Sequence, residues 1–286
     1  MRGLILSGGG VKGSYQVGVL QYLIGDLKRK YDIYCGVSVG GINAAHLAQF
    51  NTGQEFVAVR DLTSIWSNIE SKHIYKKWKP FGQLSALFKP SFYDGSPLHY
   101  LINNNIDDRL LKRSDKTAYV GCSSITSGEY RIFNSKEPNF LKAVIAGASF
   151  PIMLNPVEFE DQHWVDGGIQ QLTPIAQGIK CGCDELDIVI TNPENRYKKT
   201  IKKPSIIDAL RRALNLATDQ IMSHDVTQLI MYNKLVAAGF EKDKKMIKVN
   251  IIRPHEELVD NQMVFKKHEI NKLIIQGYND AKNQFK

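Results

Sequence analysis

In Tyr31-Asp32-Ile33-Tyr34-Cys35-Gly36-Val37-Ser38-Val39-Gly40-Gly41-Ile42-Asn43-Ala44-Ala45 an apolar run breaks at a glycine, passes through one serine and resumes as an alanine-rich repeat. A strand over Tyr31 to Gly36 followed by a helix over Gly40 to Phe50, with Ile42, Ala45 and Ala48 spaced for burial, is one βα unit. The preceding residues repeat the arrangement. Strand Gly3 to Leu6 enters the loop Ser7-Gly8-Gly9-Gly10-Val11-Lys12-Gly13, and a helix follows from about Lys12 to Lys30 with Val17, Leu20, Leu23 and Ile24 on one face. Two consecutive βα units predict a parallel sheet with helices on its faces.

Downstream, residues 51 to 115 lose this regularity and read as a helical insertion or cap, with helical pieces at Glu55 to Ile69 and Leu98 to Leu111. Lys72, Lys76, Lys77, Lys79 and Lys89 stand there among Tyr75, Trp78, Phe81, Leu84, Leu87, Phe88, Phe92 and Tyr93. Such a mixture suits a surface dipping into a lipid interface, or a subdomain with its rings turned inward. Strands are expected at Thr117 to Ile125 and Glu129 to Asn134, joined by the turn Thr126-Ser127-Gly128. Helix Asn139 to Ala148, an extended stretch Met153 to Val165 and strand Leu186 to Thr191 come next. One or two helices over Ile206 to Ala238, broken near Ser223-His224, precede strand Met246 to Ile252 and helix His268 to Gln284.

At 286 residues, 43% hydrophobic and 23% charged, the chain can bury a large core without staples, so one domain over 1–286 is expected. Cys35, Cys122, Cys181 and Cys183 lack metal-site spacing and are expected as reduced thiols in a cytoplasmic protein. No export signal is legible at the N-terminus and no stretch has the length of a membrane span. A net charge of +8 favours anionic partners, acidic lipid surfaces or nucleic acid. The lysine run Lys198, Lys199, Lys202 and Lys203 reads as a solvated loop.

Gly36-Val37-Ser38-Val39-Gly40 is a G-x-S-x-G between strand and helix, the setting of a nucleophile elbow. Gly36 and Gly40 remove side chains where the turn closes, and the helix directs N–H groups toward a developing anion. Gly8, Gly10 and Gly13 satisfy G-x-G-x-x-G, yet Asp32 precedes its strand and so poorly matches the acidic residue of a dinucleotide site. Beside a serine elbow the same glycines supply donors for an oxyanion. Val165-Asp166-Gly167-Gly168 offers an aspartate on a tight, unhindered turn as a candidate general base. An α/β-hydrolase triad would need His224, His255 or His268, none in a catalytic setting, and several strands before the elbow. His163 lies near Asp166 along the chain without a legible role.

The triple-glycine loop, the G-x-S-x-G and the D-G-G in this order, with Ala148-Ser149-Phe150-Pro151 ahead of the aspartate, resemble the patatin-like phospholipases. The matching positions run from residue 6 to residue 168. The resemblance implies a three-layer α/β/α fold around a mostly parallel sheet, and lipid acyl hydrolysis by a Ser38-Asp166 dyad. It places the oxyanion hole on Gly8, Gly9, Gly10, Lys12 and Gly13, with Gly9 and Gly10 the best donors; Lys12 stands where many members carry arginine. No cluster of His, Cys and carboxylates has ligand spacing, so no metal and no cofactor is expected, and the resemblance also implies independence of calcium. The expected partners are a phospholipid or other acyl lipid, an anionic membrane surface met peripherally, and an anionic activator in some relatives, with no specific nucleic acid. Two other functions fit the motifs: an esterase or thioesterase acting on soluble acyl groups, and a non-catalytic nucleotide-binding module.

Overall fold

The computed structural model describes residues 1–78, 89–194, 206–240 and 245–286. Five parallel strands form the centre of one sheet in the order β3 (Thr117–Ser124), β2 (Ile33–Val37), β1 (Arg2–Leu6), β7 (Glu185–Val189) and β8 (Lys248–Ile252). Three antiparallel strands, β4 (Tyr130–Asn134), β5 (Val157–Phe159) and β6 (Gln162–Asp166), complete it beyond β3.

Side-chain alternation divides the core into two layers. On β1, Leu4 and Leu6 enter the layer under α1 (Gly13–Leu20), α2 (Val39–Ala48), α6 (Phe140–Gly147) and α9 (Lys267–Gln284). Ile5 turns the other way, toward α7 (Ile175–Lys180) and α8 (Ile206–Ala237). The result is the expected three-layer arrangement. α1 is buried all round because α9 crosses it at backbone contact: a Cβ on Gly18 would collide with the Ile274 carbonyl, and one on Gly277 with that of Tyr15.

Local departures from the sequence reading have identifiable causes. The first helix ends at Asp26 rather than Lys30, after a wide turn over Gln21–Asp26 and before Lys28 at φ 53°. The stretch expected as extended over Met153 to Val165 starts as a turn and becomes a hairpin from Val157, since Glu160 and Asp161 at φ 52° and 57° form a tight two-residue turn. Leu98 to Leu111 divides into α4 (Ser96–Asn105) and α5 (Asp108–Arg113), where the Asp107 carboxylate caps the second helix through the Arg109 N–H at 2.8 Å. α8 runs unbroken through Ser223-His224.

The 51–115 stretch supplies α3 (Glu55–Asn68), α4 and α5, and its aromatics face both ways. Tyr75 and Tyr93 are half-buried, their ring centroids 4.6 Å apart, while Phe92 is 46% exposed. Lys72 and Lys76 pair with Glu70 and Asp94 at 2.7 and 3.2 Å. Lys79, Phe81, Leu84, Leu87, Phe88 and the run from Lys198 to Lys203 lie outside the described residues. Among those described, no helix is long and apolar enough to cross a membrane.

Candidate active site

Strand register brings Ser38 and Asp166 together. Residues 119–123 of β3 pair with β4 along one edge, while Cys35, Gly36 and Val37 take Tyr119, Val120 and Gly121 along the other. β6 approaches from the opposite direction on that second edge and stops with Asp166 opposite Cys122. The ends of β2 and β6 therefore meet head to head. The residue following one strand and the last residue of the other come within hydrogen-bonding reach, Ser38 to the Asp166 carboxylate.

Backbone crowding dictates the residues around the serine. Ser38 occupies the strained conformation φ 55°, ψ −132° between β2 and α2. A Cβ on Gly36 would collide with the Gly40 carbonyl, and one on Gly40 with the Leu6 carbonyl. The Ser38 carbonyl accepts the Gly41 N–H at 2.9 Å, starting α2. On the other side, a Cβ on Gly167 would strike the Gly121 carbonyl, so the chain after Asp166 passes close against β3.

Asp166 is 2% exposed, and its Oδ1 accepts the Gly168 N–H at 2.8 Å. Burial pushes its carboxyl up to about 6, opposed by the bonds from Ser38 and the Gly168 N–H. The Asp166 N–H donates to the Ser149 carbonyl at 3.0 Å, and the Ser149 hydroxyl to the Ile145 carbonyl at 2.9 Å. The Ala148-Ser149-Phe150-Pro151 block thus fixes the end of β6 to α6.

The glycine loop lies alongside: a Cβ on Gly8 would sit 3.1 Å from that of Ser38. The N–H groups of Gly8 and Lys12 donate to the carbonyls of Leu172 and Gly9, each at 3.1 Å, and that of Gly13 to Gly10 and Val11. Among the described residues no acceptor takes the N–H of Gly9 or Gly10. The Lys12 side chain is buried and its ammonium donates to Asn192 Oδ1, whose amide donates to Asp219 at 3.0 Å.

The structure also brings in residues with no motif. Asp225 on α8 is buried, and its Oδ2 accepts the N–H groups of Leu172 and Thr173 at 3.1 and 2.8 Å. It braces the loop that holds Gly8. Burial pushes this carboxyl up to about 6 as well, against those two bonds and one from the Gln171 side chain. Ser38, Asp166, Gly8, Gly9, Gly10 and Lys12 all line one cleft with about 1150 Å³ of empty space including its mouth, otherwise walled mainly by apolar side chains. Among the seven histidines His46 lines it. Its spacing eight residues beyond Ser38, on the Ile42 face of α2, is the one legible hint. His163 instead faces Thr126 on an exposed hairpin, His224 bonds Gln228 on the surface of α8, His255 lines a separate hollow, and His268 is exposed at the start of α9.

The family model for patatin-like phospholipases matches residues 4–179, well over half of the chain. The chain belongs to the patatin-like phospholipase family. Such phospholipases act on lipid substrates. No match is found among curated proteins. Among solved structures the chain is similar to VipD from Legionella pneumophila, at 13% identity and a TM-score of 0.49, covering 99% of this chain and 66% of that one. It is also similar to the type III effector protein ExoU, at 13% identity and a TM-score of 0.38, covering 99% of this chain and 52% of that one. The chain thus spans less than two thirds of the length of either.

Proposed function

We propose that this patatin-like chain hydrolyses the acyl esters of lipids with Ser38 as nucleophile and Asp166 as its base. The observation that carries the reading is the meeting of two strand ends, which sets a strained serine against a buried carboxylate. Asp166 accepts the Ser38 proton as the hydroxyl oxygen attacks the ester carbonyl. The N–H groups of Gly9 and Gly10 receive the oxyanion, where preformed donors cost no reorganisation. Collapse of the tetrahedral intermediate transfers the Asp166 proton to the departing alcohol and leaves Ser38 acylated. Water then gives its proton to Asp166, attacks the acyl-serine and releases the fatty acid, after which Ser38 recovers its proton.

The apolar wall favours an acyl chain as the buried half of the substrate, leaving the head group at the mouth. The net charge of +8 supports landing on an anionic lipid surface. The test is product mass spectrometry after incubation with anionic and zwitterionic vesicles, alongside Ser38→Ala and Asp166→Asn. Fatty acid released by wild type and by neither variant supports the reading. Turnover of soluble short esters alone would move the function to a soluble acyl hydrolase, and a tightly bound nucleotide without serine chemistry to a binding module.

A further inference from the structure

The cleft has a direction. Val39, Ile42 and His46 line it from one face of α2, stepping away from Ser38. α3 runs the opposite way along the same face: Trp66 lies with Val39 against Gly13 at the serine end, and Asp61 Oδ2 lies 3.4 Å from His46 Nε2 at the other. α4 closes the third side. Its N-cap Gly95 donates its N–H to Asn155 Oδ1, and it ends with the Asn105 carbonyl 3.3 Å from His46 Nδ1. Leu62, Ile65, Leu101 and Ile102 make the apolar wall between.

The far end is polar and held in place. His46 is 1% exposed, with its ring centroid 5.4 Å from that of Phe50. Gln49 Nε2 donates to the same Asn105 carbonyl at 2.9 Å, and Gln49 Oε1 accepts the Asp107 N–H at 2.9 Å. Burial holds the imidazole below its ordinary pKa, against the pull of Asp61. A chain end pushed further would displace a ring fixed from several sides and separate buried polar groups from their partners.

We propose that His46 is a chain-length stop, making this cleft selective for medium-chain acyl esters. His46 stands eight positions beyond Ser38, the residue that caps α2, an advance of about 12 Å at 1.5 Å per residue. An extended chain with bonds of about 1.5 Å at tetrahedral angles advances about 1.25 Å per carbon, which gives room for about ten carbons. The inference rests on the acyl-hydrolase reading above. The shared chemistry is the acyl group, whether it arrives on a lipid or on a soluble ester.

The test is a series of para-nitrophenyl esters from C4 to C18, and vesicles of phosphatidylglycerols with matching chains, given to the full chain. The kcat/KM is expected to rise by up to about fourfold per methylene, breaking near ten carbons in both series. A break in the ester series alone points to soluble esters as the source, and a break in both to lipid. His46→Ala should move the break up by about two carbons. Ile42→Trp, half-way along the channel, should move it down to about five. A wild-type profile that climbs to C16, or variants that scale every chain length equally, overturns the stop while leaving the hydrolase reading standing. Folded wild type inactive on every ester overturns both. Should His46→Ala not fold, His46→Gln keeps a polar end and the wild-type break, and Ile42→Trp alone decides.

Discussion

Asp166 at the end of β6 and Asp225 on α8 are both buried, and burial pushes both carboxyls up to about 6, yet they hold different things. Asp166 takes one backbone N–H and a serine hydroxyl; Asp225 takes two backbone N–H groups, from Leu172 and Thr173, and the side-chain amide of Gln171. A raised carboxyl therefore marks burial, and the partner decides the work. A hydroxyl has a proton to give and an oxygen that can attack. Amide donors keep their protons, so Asp225 serves by fixing where a loop lies.

The largest effect that tests this contrast is Asp166→Asn, expected to lower kcat/KM on the order of 10³–10⁴-fold, as loss of a positioned base does. The same change should stabilise the fold. A carboxyl whose folded value is raised binds protons more tightly folded than unfolded, so its stabilisation is complete below the ordinary value near 4. It is lost as pH rises through about 6. Removing the charge at pH 7 should therefore recover about 1–3 kcal/mol, read as a higher midpoint in urea unfolding. An active or destabilised variant would break the assignment.

Gly10→Ala follows in size. Gly10 sits at φ 57°, and a Cβ there would collide with the Gln262 carbonyl, which already accepts the Val11 N–H at 2.9 Å. If the Gly10 N–H receives the oxyanion as proposed, its displacement costs about 10²–10³-fold in kcat. KM on a short ester should change far less, because the donor acts on charge that develops only in the transition state.

This ordering follows what can be read in the sequence. Ser38, Asp166 and their glycines are legible because backbone crowding admits almost nothing else at Gly36, Gly40 and Gly167, and such constraints leave a local pattern. Asp225 and Asn192 leave none and His46 leaves only its helical spacing from Ser38, since their partners lie far off along the chain and the bonds form only after α8, α4 and the β7 end have packed. α7 escapes a sequence reading for a related reason. Its six residues follow Pro174 and contain Gly178, too short a run to show a period. α8 reads as broken at Ser223-His224 because two polar residues interrupt the sequence, whereas on the helix both simply face solvent.

The acid limb of the rate profile sharpens the comparison. With Asp166 as base, kcat/KM should rise with pH through about 6 and level off above it. Asp225 titrates in the same range, so wild type alone does not separate them. In Asp225→Asn the limb should stay in place if Asp166 produces it; a limb that disappears would exchange the two roles.

The same variant carries the smallest expected effect, and it isolates the brace. The amide introduced by Asp225→Asn keeps an oxygen that can accept the N–H groups of Leu172 and Thr173, but these bonds lose their charge assistance and the geometry relaxes. Leu172 in turn accepts the Gly8 N–H, next to the proposed donors Gly9 and Gly10, so slack at Asp225 reaches the oxyanion through two bonds. A shift of a few tenths of an ångström there should lower kcat about two- to tenfold with KM nearly unchanged, because ground-state contacts along the apolar wall are untouched. Asp225→Leu, which offers no acceptor, should fall further and lose about 1–3 kcal/mol of stability as two buried N–H groups go unpaired. Equal kcat for Asp225→Asn, Asp225→Leu and wild type, with a lowered unfolding midpoint for Asp225→Leu alone, would make the brace a matter of stability alone and leave Asp166 as the one buried carboxylate of this pair whose partner matters to rate.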